Sequence, residues 1–146
     1  MRGVMPYLQV EKADEAIAWY EKVFKAKETR ERMVTPDGKC MNAEIEIEGT
    51  RVMIADEMPG VGSMSPLRLK GTSVVLNLHV ADSDIVFKRA LGAGAVEVFP
   101  LTNQFYGDRA GRIFDPFGHH WIIATKVKNI SDDEMMSAFK AMFKEN

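Results

Sequence analysis

Two stretches of the sequence decide the fold: residues 49–55, which read GTRVMIA, and residues 118–124, which read GHHWIIA. Each begins with a turn glycine and continues as an apolar, strand-like run, and the two lie 69 positions apart (49 to 118). Val10 and Val80 end two further strand-like runs, which lie 70 positions apart. Offsets that agree so closely predict the duplication of a whole structural unit, and chance similarity of two strands is the weaker interpretation.

The pattern around these stretches predicts the same order of elements in both halves. The first half has a strand over 7–10, a helix with Asp14 as its N-cap, and strands over 28–34, 41–47 and 51–55. The second half has a strand over 74–80, a helix capped by Asp82 or Ser83, and strands over 96–99, 111–115 and 121–125. The predicted fold class is α+β: two tandem βαβββ modules that form a curved mixed sheet around a cleft, plus a C-terminal helix.

The predicted organisation is a single domain over residues 1–128, with module one at 1–56, a linker at 57–71 and module two at 72–128. The linker is rich in glycine, proline and serine, and it is long for a connection within a compact domain. Residues 129–146 form the C-terminal helix, which a capping box from Ser131 to Glu134 opens. The apolar side of that helix has to pack on the body of the chain or on a second subunit.

The composition excludes several classes of protein and partner. Hydrophobic residues make up 46% of the chain and charged residues 27%, which is typical of a globular rather than a disordered protein. The net charge of -2 and the scattered basic residues predict neither nucleic acid nor a membrane surface as partner. The single cysteine, Cys40, fits a reducing compartment, and no segment has the ~20 apolar residues of a membrane span. We expect a cytoplasmic protein.

Two motifs carry a family resemblance: Tyr106-Gly107-Asp108-Arg109, and residues 115–119 (DPFGH) with the apolar strand that follows. Together with the duplicated modules they resemble the vicinal-oxygen-chelate superfamily of glyoxalases, bleomycin-resistance proteins and dioxygenases. The stretches PYLQV at 6–10, NAEI at 42–45 and QFYGDR at 104–109 resemble its PhnB-like branch, and the resemblance runs from about residue 5 to residue 125. It implies a homodimer, a cleft with helices outside, and activities that range from metal-dependent isomerisation or ring cleavage to metal-free sequestration of antibiotics.

The resemblance also implies where a metal ion would bind. Metal-dependent members place ligands on the first and last strands of each module, and the alternation of those strands maps the positions onto Met5, Met53, Val75 and Ile122. Valine and isoleucine have no donor atom, and two thioethers do not make the usual site for a divalent ion. The sequence therefore predicts no metal and no other cofactor.

The ligand is expected in an apolar cleft with a few polar groups. Asn42 and Glu44 share one face of the third strand of module one, and Arg109 shares a face of the matching strand of module two with Gly111 and Ile113. Asn42 stands where PhnB-like relatives often have histidine, and an ion pair between Glu44 and Arg109 is an equally acceptable interpretation. The predicted ligand-binding residues are Tyr7, Asn42, Glu44, Met53, Val75, Phe105, Tyr106, Arg109 and Ile122.

The leading functional hypothesis is a metal-independent small-molecule binding protein of the glyoxalase/bleomycin-resistance type. The alternative is a metal-dependent glyoxalase-type lyase, isomerase or dioxygenase acting on a small oxygenated substrate, with His79, His120 or Glu44 as a base.

A slip of one residue in strand register would exchange the two faces and require Gln9, His79 and His120 to be reconsidered as ligands. His119 is predicted on the surface. Whether the protein is an enzyme, and whether the modules pair within one chain or between two, stays open.

Overall fold

In the computed structural model, which describes residues 2–144, the chain forms two βαβββ modules and a C-terminal helix. Met1, and the last two residues of the predicted C-terminal segment, lie outside the described residues. The elements of module one are β1 (Tyr7–Val10), α1 (Ala13–Phe24), β2 (Lys27–Glu28), β3 (Met33–Val34), β4 (Cys40–Ile47) and β5 (Thr50–Asp56). A 3₁₀ turn (Pro59–Val61) and α2 (Pro66–Leu69) lead to β6 (Val75–His79), α3 (Ser83–Gly92), β7 (Val96–Asn103), β8 (Asp108–Phe114), β9 (His120–Lys126) and α4 (Asp132–Ala141).

The two sheets have the same topology. The strand order is β1-β5-β4-β2 in module one, where β3 also pairs with β4, and β6-β9-β8-β7 in module two. In each module the first strand is parallel to the last, and the other neighbours are antiparallel. The predicted α+β fold of two tandem βαβββ modules with a C-terminal helix is confirmed.

Helix α1 covers one face of the first sheet because its apolar residues recur at helical spacing. Ala16, Ile17, Tyr20 and Val23 on that face are all fully buried. The predicted N-cap is wrong: the helix begins at Ala13, whose N–H donates to Oδ1 of Asp56 at 2.7 Å. The carboxylate of Asp56, at the end of β5, therefore caps the helix in place of Asp14.

The two modules share one hydrophobic core, because α1 packs against α3 as well as against its own sheet. Trp19 donates from Nε1 to the carbonyl oxygen of Ala93 at 2.8 Å, and Arg89 donates from Nη1 to that of Val23 at 2.9 Å. Each sheet thus has one face turned toward this shared core. We call the opposite face of each sheet its open face.

Hydrogen bonds to the buried carboxylate of Glu57 hold the segment between the modules, residues 57–71, in place. Glu57 is 8% exposed, and its Oε1 accepts from the N–H of Ser65 at 3.0 Å and from Nε of Arg68 at 2.9 Å. Oε2 accepts from Nη2 of the same arginine at 3.0 Å. Ser65 itself is fully buried and caps α2, so residues 57–71 hold a defined conformation through these bonds.

Some elements differ from the sequence prediction. The strand predicted over 28–34 is present only as the two short strands β2 and β3, whereas β7 extends to Asn103 through two shifts of register with β8. The capping box of α4 is formed, with Ser131 Oγ accepting from the N–H of Glu134 at 3.1 Å, but Phe139 is 41% exposed. Among residues 2–144, no helix is both long and apolar enough to cross a membrane.

Candidate ligand-binding site

The strand registers show which residues lie side by side on the open face of each module, and these rows can be matched between the modules. On the open face of module one, Met53 of β5 lies between Tyr7 of β1 and Glu44 of β4. On the open face of module two, Ile122 of β9 lies between Asn77 of β6 and Arg112 of β8. Since Val52 and Trp121 are equivalent in the duplication, as are their partners Ile45 and Ile113, the position that matches Glu44 is Arg112.

Three of the predicted ligand-binding residues form a hydrogen-bonded group on the open face of module one. The hydroxyl of Tyr7 donates to the carbonyl oxygen of Met41 at 2.9 Å and accepts from Nδ2 of Asn42 at 3.0 Å. The same amide nitrogen lies 3.5 Å from Sδ of Met53, and Oδ1 of Asn42 accepts from Nη2 of Arg30. Tyr7, Asn42 and Met53 are therefore brought together, as the sequence predicts.

Glu44 lies beside this group, and its charge is already engaged within module one. Its Oε1 accepts from Oγ1 of Thr29 at 2.6 Å and lies 3.7 Å from Nε of Arg51. The side chain is 14% exposed. The predicted ion pair between Glu44 and Arg109 is absent, because Arg109 lies on a different face of module two.

Arg109 points toward α3. Its Nε and Nη2 donate to the two carboxylate oxygens of Asp84, at 2.9 and 3.0 Å, and Nη1 donates to Oδ1 of Asn103 at 3.3 Å. Gly111 lies on the same face, since a Cβ built on it would come within 2.6 Å of the ring of Phe87. The expectation that Arg109 shares a cleft with Asn42 and Glu44 is corrected by this geometry.

A cavity of about 410 Å³ opens on module two, within the size range of small-molecule sites. Two predicted ligand-binding residues, Tyr106 and Ile122, line it. Its other lining residues are Phe99, Pro100, Thr102, Gln104, Ala110, Gly111 and Arg112. The cavity thus combines an aromatic and aliphatic wall with a few polar groups and one cation.

Phe105 and Val75 lie away from this cavity. The ring of Phe105 lies 5.1 Å from that of Tyr106 and 5.9 Å from that of Phe139, so it packs toward α4. Val75 begins the edge strand β6 and is 39% exposed. The structure therefore divides the predicted set into a group on module one, two residues of the cavity, and three residues elsewhere.

The residues at the family's metal-ligand positions do not fit a metal ion. Met53 contacts the amide of Asn42, Ile122 lines the cavity with hydrocarbon, Val75 is exposed, and Met5 precedes β1 and is half-buried. Within residues 2–144, no group of three or more histidine, cysteine, aspartate or glutamate side chains is placed to hold an ion. Thioether and hydrocarbon groups offer no hard donor for the divalent ions of this fold.

The three histidines have different surroundings. Nε2 of His79 lies 3.8 Å from Oδ2 of Asp108, on the open face of module two. His120 stacks on Phe114 at 4.6 Å between ring centroids, and its Nε2 is buried without a hydrogen-bond partner in the described chain. The pKa of His120 is lowered, first by burial and then by the positive charge of Arg112.

The prediction that His119 lies on the surface is wrong. Its side chain is 9% exposed, and Nε2 lies 3.0 Å from the carbonyl oxygen of Gln9 in module one. The contact joins residues 110 positions apart, and it exists because the modules pack through α1 and α3. No local pattern in the sequence encodes such a contact.

A sequence model of the Glyoxalase/Bleomycin resistance protein/Dioxygenase superfamily matches residues 4–123. The chain belongs to this superfamily. An uncharacterized protein of Mycobacterium bovis, Mb0911c, is 43% identical over 142 residues, which cover 95% of this chain and 93% of that protein.

Two solved structures show the same fold. TioX from Micromonospora sp. ML1 superposes with a TM-score of 0.65 at 23% identity, covering 89% of this chain and 100% of TioX. A PhnB protein of Bacillus cereus superposes with a TM-score of 0.65 at 18% identity, covering 85% of this chain and 99% of that one. These likenesses concern the fold alone, so the ligand has to be argued from the site.

Proposed function

We propose that this superfamily member binds a small organic molecule without a metal ion, in the cavity on module two. The cavity itself is the observation that carries the proposal. Its volume of about 410 Å³ suits a compact ligand, and Ile122 and Tyr106 provide apolar contact area beside the polar groups of Gln104 and Arg112. The ligand is held by shape, apolar burial and a few polar contacts.

The metal-independent part of the proposal rests on the donor atoms. Of the four positions where metal-dependent relatives hold an ion, two carry thioethers and two carry hydrocarbon side chains. Neither open face compensates with a cluster of nitrogen and carboxylate donors among the described residues. Metal analysis by mass spectrometry, on protein purified without chelators, is expected to give far less than one ion per chain, and a stoichiometric ion would contradict the proposal.

A thermal-shift screen tests the binding itself. Aromatic and aliphatic compounds that enter the cavity are expected to raise Tm by an amount that grows with the logarithm of ligand concentration above Kd. Ile122→Phe fills the floor of the cavity and is expected to abolish the shift, whereas Val127→Phe, at a site that is 54% exposed and does not line the cavity, leaves it unchanged. A complete screen without stabilisation, or hits indifferent to Ile122→Phe, would refute the proposal.

The assembly, branch and compartment are also part of the proposal. A homodimer is supported by the edge strands β1 and β6, whose residues Tyr7 and Val75 are 41% and 39% exposed. Light scattering is expected to give twice the mass of one chain.

Membership of the PhnB-like branch is supported by the QFYGDR stretch at 104–109. A cytoplasmic location is supported by the free, buried thiol of Cys40. No nucleic acid or membrane is proposed as a partner.

An enzyme is the second candidate, and the pair formed by His79 and Asp108 favours it. A histidine beside a carboxylate is the usual arrangement of a general base, although 3.8 Å is longer than a hydrogen bond. His79 also lines a second cavity of about 270 Å³, between the modules. If the protein isomerises or cleaves an oxygenated substrate, His79→Gln should remove the activity while Ile122→Phe alters it less. Equal activity of wild type and His79→Gln would exclude this base.

A further inference from the structure

Arg112 stands out among the half-buried arginines within residues 2–144 because its guanidinium has no acidic or hydrogen-bonding partner there. Arg32, Arg68 and Arg109 each donate to a carboxylate, at distances between 2.6 and 3.2 Å. No ion pair or hydrogen bond within residues 2–144 involves the guanidinium of Arg112, although the side chain is half-buried in the wall of the cavity. A guanidinium offers five N–H donors in a planar fork, so those of Arg112 are available to a ligand that enters the cavity.

The duplication shows that this charge is specific to module two. The equivalent position in module one is Glu44, which is satisfied locally by Thr29 and Arg51. In module two, Asn77 and Ile122 share the row of Arg112, and neither supplies a negative charge. The duplication has therefore placed an uncompensated cation where its sister module has a compensated anion.

The surroundings of Arg112 define the shape of a ligand. Its Cζ lies 5.5 Å from the centroid of the Phe99 ring, which is a cation–π contact. Phe99 and Tyr106 form aromatic parts of the same wall, and Gln104 Nε2 donates to Oγ1 of Thr102 at its edge. The cavity thus presents aromatic side chains next to a fork of donors.

The electrostatic field agrees with this geometry. The pKa of Tyr106 is raised, first by burial and then by the negative charge of Asp108, and the positive charge of Arg112 acts against that rise. The pKa of His120 is lowered by burial and by the same arginine. The positive charge of Arg112 therefore reaches titratable groups on two neighbouring segments, and a bound anion would lie within the same field.

We propose that the ligand of this cavity is an aromatic carboxylate, held by a bidentate contact of its carboxylate with Arg112 and by packing of its ring against Phe99 and Tyr106. The inference rests on the proposed small-molecule function and specifies its ligand class. A planar, bidentate pairing of guanidinium and carboxylate is the strongest and most directional use of such a fork. Partial exclusion of water by the cavity wall strengthens it further.

The test uses matched pairs of compounds in titration calorimetry, with 2-naphthoate and 2-naphthamide as the first of a panel of arene acids and their amides. Wild-type protein is expected to bind acids about tenfold to a hundredfold more tightly than the corresponding amides. Arg112→Gln is expected to remove that preference, because it weakens binding of the acids far more than binding of the amides. Arg109→Gln, on the same strand but paired with Asp84 on the other face, is the matched control and should behave as wild type.

The outcomes separate the two proposals. If acids and amides bind equally well and Arg112→Gln changes neither, the anion inference fails and the proposed function stands. If no compound of either series binds wild type, or if Ile122→Phe does not change the binding, both proposals fail. A folded Arg112→Gln protein whose mass by light scattering falls from dimer to monomer would also overturn the inference, since Arg112 would then serve a second copy of the chain.

Discussion

The hydroxyl of Tyr20, on α1 of module one, donates a hydrogen bond of 2.5 Å to Oδ2 of Asp115, in the turn between β8 and β9 of module two. The same carboxylate oxygen accepts from Nε1 of Trp121 at 2.8 Å, and Oδ1 accepts from the N–H groups of Phe117 and His119. Tyr20 is fully buried, and burial and the Asp115 charge raise its pKa well above the usual range, so it remains a neutral donor. A turn motif of the family therefore links the two modules.

Loss of the Tyr20 hydroxyl should weaken the protein. Tyr20→Phe removes one donor from a buried carboxylate and is expected to lower the free energy of unfolding by about 2 kcal/mol. Tyr7→Phe removes a hydroxyl from a side chain that is 41% exposed and should cost less than about 1 kcal/mol. Chemical denaturation of the two variants checks this comparison. Equal losses would show that the Tyr20–Asp115 bond does not support the module interface.

Gly111→Ala tests which face of β8 points at the shared core. A Cβ at this position would come within 2.6 Å of the Phe87 ring and within 3.0 Å of the backbone of Leu101, so we expect a destabilisation of about 1–3 kcal/mol. Gly71→Ala, with nothing within 4 Å and no left-handed torsion, is the control and should be nearly neutral. If Gly111→Ala proved neutral, the assignment of Gly111 and Arg109 to the core face of β8, and of Arg112 to its open face, would be in error.

Much of this fold can be predicted from the sequence, because large apolar residues alternate in the same way in the matching strands of both modules. In β5 and β9, a period of two turns Val52, Ile54, Trp121 and Ile123 to the core. Their regular spacing gives both the repeat and the register. Placed on that register, the family resemblance implies the positions that are equivalent to metal ligands.

The faces of β8 could not be predicted in the same way. Its sequence, DRAGRIF, places two small residues, Ala110 and Gly111, side by side and an arginine on each face, so alternation alone does not say which arginine is outside. The choice is made by Phe87 of α3, which packs where Gly111 leaves room. The contacts of Asp115 with Tyr20 and of His119 with Gln9 could not be predicted either, because those partners lie in the other module.

The ion pair of Glu57 should make the connecting segment sensitive to acid. Hydrogen bonds from Arg68 and from the N–H of Ser65 lower the pKa of this carboxyl from 4.5 to about 2. A depressed carboxyl contributes stability above its unfolded pKa, and that contribution is lost as pH falls from 4.5 toward 2.

Amide hydrogen exchange, corrected for the intrinsic rate at each pH, reports this loss. Protection of the Ser65 amide is expected to hold above pH 4.5 and to decline below it, whereas Glu57→Gln should reduce that protection at neutral pH and flatten its pH dependence. Glu46→Gln, on an exposed side chain of β4, is the control and should follow wild type. Protection in Glu57→Gln that matches wild type at every pH would refute the role of the pair.

The pKa of His120 should lie below the usual histidine value, first because the ring is partly buried and then because Arg112 is positively charged. Because the folded pKa lies below the unfolded value near 6.5, the protein loses stability as pH falls below 6.5 toward the folded pKa. In NMR titrations Arg112→Gln is expected to move the pKa of His120 upward, and Arg109→Gln to leave it in place. An unchanged His120 pKa in Arg112→Gln would mean that the arginine charge does not reach this ring.

The most direct test of the central claim is the dissociation constant of one compound from the thermal-shift screen, measured by calorimetry with and without excess EDTA. We predict the same constant in both solutions, because the ligand meets Arg112, Tyr106 and Ile122 and no metal ion. Loss of binding in EDTA, followed by its return when zinc or manganese is added, would contradict the account.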